Sequence, residues 1–155
     1  MDFANLDLKT ASETGTWVHL EKDGHPLYVT GQKIGIEKSD KPCQVRLRGI
    51  AAKGVLDGIR SIERAEMVYA ARLSRAKDRD IEAIVASKQE AAGPIVSDLI
   101  ASAVFEWSGI IWDGKPLELT RENVLKICGP ETYFFGQVYA EIMERHRLFK
   151  VAASA

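Results

Sequence analysis

Residues 105–120 read Phe-Glu-Trp-Ser-Gly-Ile-Ile-Trp-Asp-Gly-Lys-Pro-Leu-Glu-Leu-Thr. Trp107 and Trp112 bracket Gly109, and Asp113-Gly114 is the kind of pair that takes a turn with positive φ. Upstream, Val96, Leu99, Ile100, Ala103, Val104 and Trp107 recur at helical spacing and predict a core helix ending near Trp107. Downstream, Thr120 before Arg121-Glu122 supplies the side-chain acceptor and the acidic first turn that favour a helix start. The stretch therefore reads as a short aromatic-lined connection between two helices.

Further toward the carboxy terminus, Gly129-Pro130 ends the helix begun at Thr120. A last helix is expected from about Glu131, with Phe135, Val138, Tyr139, Ile142 and Phe149 on one side and Glu141, Glu144 and Arg147 mostly on the other. In the other direction, Gly93-Pro94 reads as a boundary in front of the core helix, because Gly suits a helix stop and Pro a helix start. Val55, Ile59, Ile62, Tyr69 and Leu73 predict an earlier helix from Ala51 onward. Gly54 and Gly58 weaken its first turns by about 1 kcal/mol each relative to Ala, which packing must offset. The charged residues 72–80 read either as a solvated continuation of that helix or as a break before Ile81, Ile84 and Val85.

The first third has a different period. Residues 17–20 and 27–30 are short β-prone runs separated by Glu21-Lys22-Asp23-Gly24-His25-Pro26, a hairpin signal. Ile34-Gly35-Ile36 extends the pattern, and Val45, Leu47 and Gly49 alternate with Gln44, Arg46 and Arg48 as in a half-buried strand. The fold class is therefore α+β, a small amino-terminal antiparallel sheet of about three strands followed by a mostly helical carboxy-terminal part. The organisation reads as a flexible arm over 1–16, a β-sheet region over 17–50, a helical region over 51–150 packed with it as one domain, and a frayed tail over 151–155.

The 155 residues carry 21 Lys and Arg against 22 Asp and Glu, a formal net charge of -1. That balance offers no global electrostatic case for nucleic acid or an anionic membrane. Residues 1–5 carry neither a basic n-region nor an apolar h-region, and no apolar run reaches the ~20 residues that span a bilayer. Cys43 and Cys128 are too few for a disulfide framework or a zinc site and read as reduced thiols.

Catalytic chemistry finds no foothold. His19, His25 and His146 form no ligand-spaced pair, no Gly-x-Ser-x-Gly elbow or phosphate-binding glycine loop occurs, and neither Cys adjoins a His. No cofactor or metal is expected. Arg72, Arg75, Lys77 and Arg79 form a local basic cluster, which Asp78 and Asp80 partly neutralise. Phe134 and Phe135 are adjacent and cannot share one narrow helical stripe, so either the core face there is wide or one ring looks outward toward an apolar partner.

Residues 107–123, Trp-Ser-Gly-Ile-Ile-Trp-Asp-Gly-Lys-Pro-Leu-Glu-Leu-Thr-Arg-Glu-Asn, resemble the signature region of tail assembly chaperones of long-tailed, siphovirus-like bacteriophages and prophages. In that family a Trp-containing helix end leads to Asp-Gly-x-Pro-Leu, then Thr or Ser, Glu-Asn, and a final helix with an aromatic near its end, here Phe149. Residues 7–20, the turn after them and Arg46-Leu47-Arg48-Gly49 match the expected order of features. Relatives often follow that strand with Asp-Ser, where this chain has Ile50-Ala51-Ala52, and residues 53–92 carry no part of the signature.

The resemblance implies a non-enzymatic assembly factor of the host cytoplasm, absent from the mature virion. Such a chaperone keeps the tape measure protein soluble and helps to recruit the tail tube protein. The partner-facing surface is expected to include Trp112, Phe134, Phe135, Tyr139, Ile142 and Phe149. Apolar helix faces on a factor of this size also allow a homo-oligomer. Two alternatives stay open: a structural tail or head-tail joining subunit, and a small nucleic-acid-binding regulator that would use the Arg72 to Arg79 cluster.

Overall fold

Gln44, Val45, Arg46 and Leu47 form strand β5 (Gln44–Leu47), whose alternation leaves Val45 and Leu47 0% and 1% exposed. The computed structural model describes residues 7–32 and 40–154, the last ten as backbone alone. β5 is the central strand of an antiparallel three-stranded sheet. On one side lies β1 (Thr16–His19), with Val18 opposite Val45. On the other lies β6 (Val104–Ser108), with Trp107 opposite Val45. The inner face carries Val18, Val45, Leu47 and Val104, all buried. On the outer face Arg46 pairs with Glu106 at 2.9 Å, and its guanidinium lies 5.7 Å from the Trp17 ring centroid.

The origin of β6 corrects the expectation of a helix reaching Trp107. Helix α3 (Ile81–Ala103) stops at Ala103, and the chain turns directly into the sheet. Val104 and Trp107 fit a helical stripe, but β-branched and aromatic residues also suit a strand, and β5 offers an edge that a helix could not pair. The Arg48 amide donates to the Ala103 carbonyl at 2.8 Å, so the last carbonyls of the helix are taken up by the sheet.

Around this sheet sit two smaller ones. β2 (Glu21–Lys22) and β3 (His25–Tyr28) make a hairpin whose turn is Asp23-Gly24, with φ 53° and 77°. The pairing is tighter than the sequence reading, which left all of 21–26 to the turn. β4 (Gly31–Gln32) pairs with β3. The run at Ile34–Ile36 lies outside the described residues, as does the arm before Asp7. The rest of the arm is a helix, α1 (Leu8–Thr14), and it is docked. Ser12 is 2% exposed; its carbonyl accepts from the Gly49 amide at 2.9 Å and its Oγ from the Ala51 amide at 3.2 Å.

α2 (Lys53–Arg75) runs antiparallel to α3, with Gly58 against Leu99 and Glu66 against Lys88. A Cβ at Gly58 would come within 3.0 Å of Leu99 Cδ1, and one at Gly54 within 3.2 Å of Ser102 Cβ. The two glycines thus let the helices approach closely, which is the packing that offsets their poor helix propensity. The charged run is a break: α2 ends at Arg75 and a 3-10 turn at Asp78–Asp80 leads into α3. Pro94 does not begin a helix, contrary to the reading of Gly93-Pro94; it lies inside α3. Pro94 and Glu90 are both exposed, so water can serve the Glu90 carbonyl that has lost its amide donor.

The Trp-rich connection is a hairpin and not a simple linker, β7 (Ile111–Trp112) against β8 (Lys115–Pro116). Its turn is Asp113-Gly114 at φ 50° and 76°. α4 (Arg121–Cys128) follows, capped by Thr120 Oγ1, which accepts from the Asn123 amide at 3.1 Å. Gly129 closes it, and α5 (Phe135–Ser154) begins four residues later than Glu131. α5 continues to Ser154 through residues expected to fray; Ala152 and Ala153 have the highest intrinsic helix propensity. The sheet's inner face, the first half of α2, the end of α3, α4 and α5 enclose a core in which Leu20, Leu47, Ile59, Leu99, Ile100 and Val138 are all under 2% exposed. Each such side chain contributes about 1.5–3 kcal/mol by leaving water.

Candidate partner-binding groove

α2 and α3 reach beyond this core. Only Val55 and Ile59 of α2 are buried, both in its first two turns. On α3 the buried side chains cluster at Leu99, Ile100 and Ala103, with Ile84 alone toward the other end. Ile62, Ala65, Val68 and Tyr69 of α2 therefore meet Ile84, Ala91, Ala92, Ile95 and Val96 of α3 along an open groove of ≈ 680 Å³. Phe135 and Tyr139 of α5 also line it; their rings stack at 5.3 Å and 24°. Val68 is 54% exposed and the neighbouring Met67 73%, large values for apolar side chains.

The two rims differ in charge. Arg64 and Arg72 line the α2 side, and a shallower extension past Val68 and Ile84 adds Arg75. On the α3 side the lining groups are Ser87, Ala91 and, in the extension, Ala83 and Asp80. Lys88 Nζ spans the floor to Glu66 at 3.1 Å and lies 4.2 Å from the Tyr69 ring centroid. That pair is partly solvated and adds about 0–1 kcal/mol.

The expected partner-facing residues are split by this arrangement. Phe135 and Tyr139 belong to the groove. Phe134 is half-buried and packs against the core, while its neighbour Phe135, also half-buried, lines the groove. The outward ring is Tyr133, 62% exposed, whose hydroxyl accepts from the Asp23 amide at 3.3 Å. Ile142 is 2% exposed and belongs to the core, out of reach of a partner. Trp112 is 43% exposed on the β7–β8 hairpin with the Lys126 ammonium 3.8 Å above its ring, and it does not line the groove. The Phe149 side chain lies outside the described residues. Ile62 and Tyr69 continue the apolar stripe of α2, and the groove follows from a 23-residue helix that has too little core beside it to cover that stripe in full.

Other chemistry-bearing groups have structural surroundings. Burial, and then the Asp40 carboxylate, raise the Cys43 thiol above its ordinary range, and burial pushes Cys128 up to about 12. Both are protonated at neutral pH and poor nucleophiles. His19 Nε2 lies 2.6 Å from the Leu27 carbonyl, and Gln137 ties α5 to the same strand by donating to the His19 carbonyl at 2.8 Å. Among the described residues no three His, Cys, Asp or Glu side chains gather as metal ligands, and no helix is long and apolar enough to cross a membrane. No protein-family model, curated protein or solved structure matches the chain.

Proposed function

We propose that this protein is a phage tail assembly chaperone of the bacterial cytoplasm, which coats an apolar helical client and keeps it soluble. The client is the tape measure protein, and the tail tube protein is the partner to which it is passed. The observation that supports this reading in the structure is the uncovered apolar groove along α2 and α3. It stands beside the resemblance of residues 107–123, which run from the end of β6 through the β7–β8 hairpin to the capped start of α4.

The physical logic is one of repetition. A very long helix with an apolar stripe aggregates unless many small partners cover it, and each partner must be displaced when the tube assembles. A groove open along one side provides a modest interface, and many copies along one client provide avidity. No covalent chemistry is asked of the protein.

The test is co-expression with the tape measure and tube proteins of the same phage, followed by affinity purification of this chain. Soluble tape measure protein recovered only in its presence supports the reading. If neither partner co-purifies and the protein is found in finished particles at ring stoichiometry, it is a structural subunit instead.

A further inference from the structure

The charge on the groove narrows what can lie in it. Arg64, Arg72 and Arg75 fall at i, i+8 and i+11 on α2, a spacing that keeps them on one side of a helix. All three are exposed, and among the described residues the ion pairs engage Arg46, Arg48, Lys88 and Arg121 instead. Opposite them, the α3 rim is small, Ala83, Ser87 and Ala91, with Asp80 its single carboxylate at the far end of the extension. The result is an apolar channel with one basic wall.

The channel also has the dimensions of a helix seat. From Ile62 to Arg75 it follows 13 steps of α2, about 20 Å at 1.5 Å per residue, or nearly four turns of a bound helix. Two antiparallel helices with an apolar floor between them leave a third position that an amphipathic helix fills. A basic wall along one side favours carboxylates along one flank of the incoming stripe. It opposes a lysine-rich flank by like-charge repulsion.

We infer that the α2–α3 groove binds an amphipathic helix whose apolar stripe is flanked on one side by Asp and Glu. This deepens the chaperone reading and rests on it for the identity of the client, while the groove, its walls and their charge are properties of this chain alone. The selection comes from Arg64, Arg72 and Arg75, and the affinity from the floor at Tyr69, Ile95 and Tyr139.

The test uses the full chain and three synthetic, end-blocked 20-residue peptides, read by fluorescence anisotropy. Two share one apolar stripe, with either Glu or Lys on its flank; the third is a scrambled peptide of the acidic composition without a stripe. Three partly solvated ion pairs, each worth a factor of about two, predict roughly tenfold tighter binding of the acidic helix over the basic one. At 1 M salt, where the screening length is about 3 Å, that preference should shrink to about twofold or less. The scrambled peptide should bind at least tenfold more weakly than the acidic helix.

The triple variant R64E/R72E/R75E should reverse the order of the two striped peptides with an unchanged circular dichroism spectrum. Should it misfold, R64Q/R72Q/R75Q, which removes charge without reversing it, should abolish the preference. Equal binding of both striped peptides by the native chain, or no binding of either, overturns the inference. So does a dimer that R72E splits and the acidic peptide does not, because the occupant is then a second copy.

Tape measure protein that co-purifies equally well with the charge-reversed chain sinks this inference and leaves the chaperone reading. Acidic-helix binding without recovery of any tape measure protein does the reverse.

Discussion

Gly109 and Gly114 make a matched pair for testing how the Trp-rich segment is held. Both have a left-handed φ, 73° and 76°, so a side chain meets similar strain at each. The space around them differs. Nothing lies within 4 Å of a Cβ at Gly114, whereas one at Gly109 would sit 2.4 Å from the Pro42 carbonyl oxygen and 3.2 Å from Cys43 Cα. Pro42 and Cys43 cannot retreat freely. The Cys43 amide donates to Leu27 at 3.0 Å, and its carbonyl accepts from Leu20 at 2.9 Å.

Gly114→Ala should therefore cost the left-handed penalty of about 1–2 kcal/mol, less the ~0.4–1 kcal/mol gained by restricting the unfolded chain, or about 1 kcal/mol net. Gly109→Ala bears the same cost and must also displace backbone that holds two hydrogen bonds. That adds about 2–3 kcal/mol. At about 2–4 °C per kcal/mol for a domain of this size, the expected falls in Tm are about 3 °C and about 10 °C. Thermal unfolding of the two variants, followed by circular dichroism in one buffer, measures the difference. Equal shifts would refute the reasoning, since they would mean that Gly109 does not abut Pro42 in the folded protein.

Thr120→Ala removes the acceptor for the Asn123 amide and should lower stability by about 1 kcal/mol, with Thr120→Ser restoring most of it; chemical denaturation reads both. Ser12→Ala leaves the Ala51 amide without its partner and should cost about 1–2 kcal/mol. Hydrogen exchange should then quicken at Ala51 and Gly49 before it changes at Val45; a uniform increase would mean that α1 is not a separable unit. Cys128 ionises near 12 in the folded protein and at about 9.0 when exposed, so the unfolded chain releases its proton first. Its contribution is complete below pH 9 and falls by about 1.4 kcal/mol per pH unit between pH 9 and 12. Cys128→Ala should flatten that part of the stability profile relative to the native chain, and parallel profiles would show that the thiol is not buried.

Local signals in the sequence were reliable where neighbouring residues supply the whole cause. The Thr120 cap needs only the amide three residues on, the Asp113-Gly114 turn only its own φ preference, and the β5 alternation only one buried face. Signals that rest on a distant partner misled. Val104 and Trp107, three residues apart, fit a helical period and share one sheet face only through the register shift opposite Arg46 and Leu47, so the choice falls to β5, some 60 residues earlier in the chain. Pro94 reads as a stop until its exposed position in a long helix is known, and the arm becomes a helix because Gly49 and Ala51 meet Ser12.

The candidate site divides along the same line. Its raw material, the apolar stripes of α2 and α3 and the stacked Phe135 and Tyr139, is written in helical spacing. By itself the sequence determined an α+β chain with a balanced charge, a carboxy-terminal helix capped by Thr120 and closed by Gly129, and no catalytic sequence motif. Tertiary structure alone decided which half of each stripe is core and which is open groove. A period records only that a face is apolar; whether that face is covered depends on how far the sheet, α4 and α5 extend alongside it.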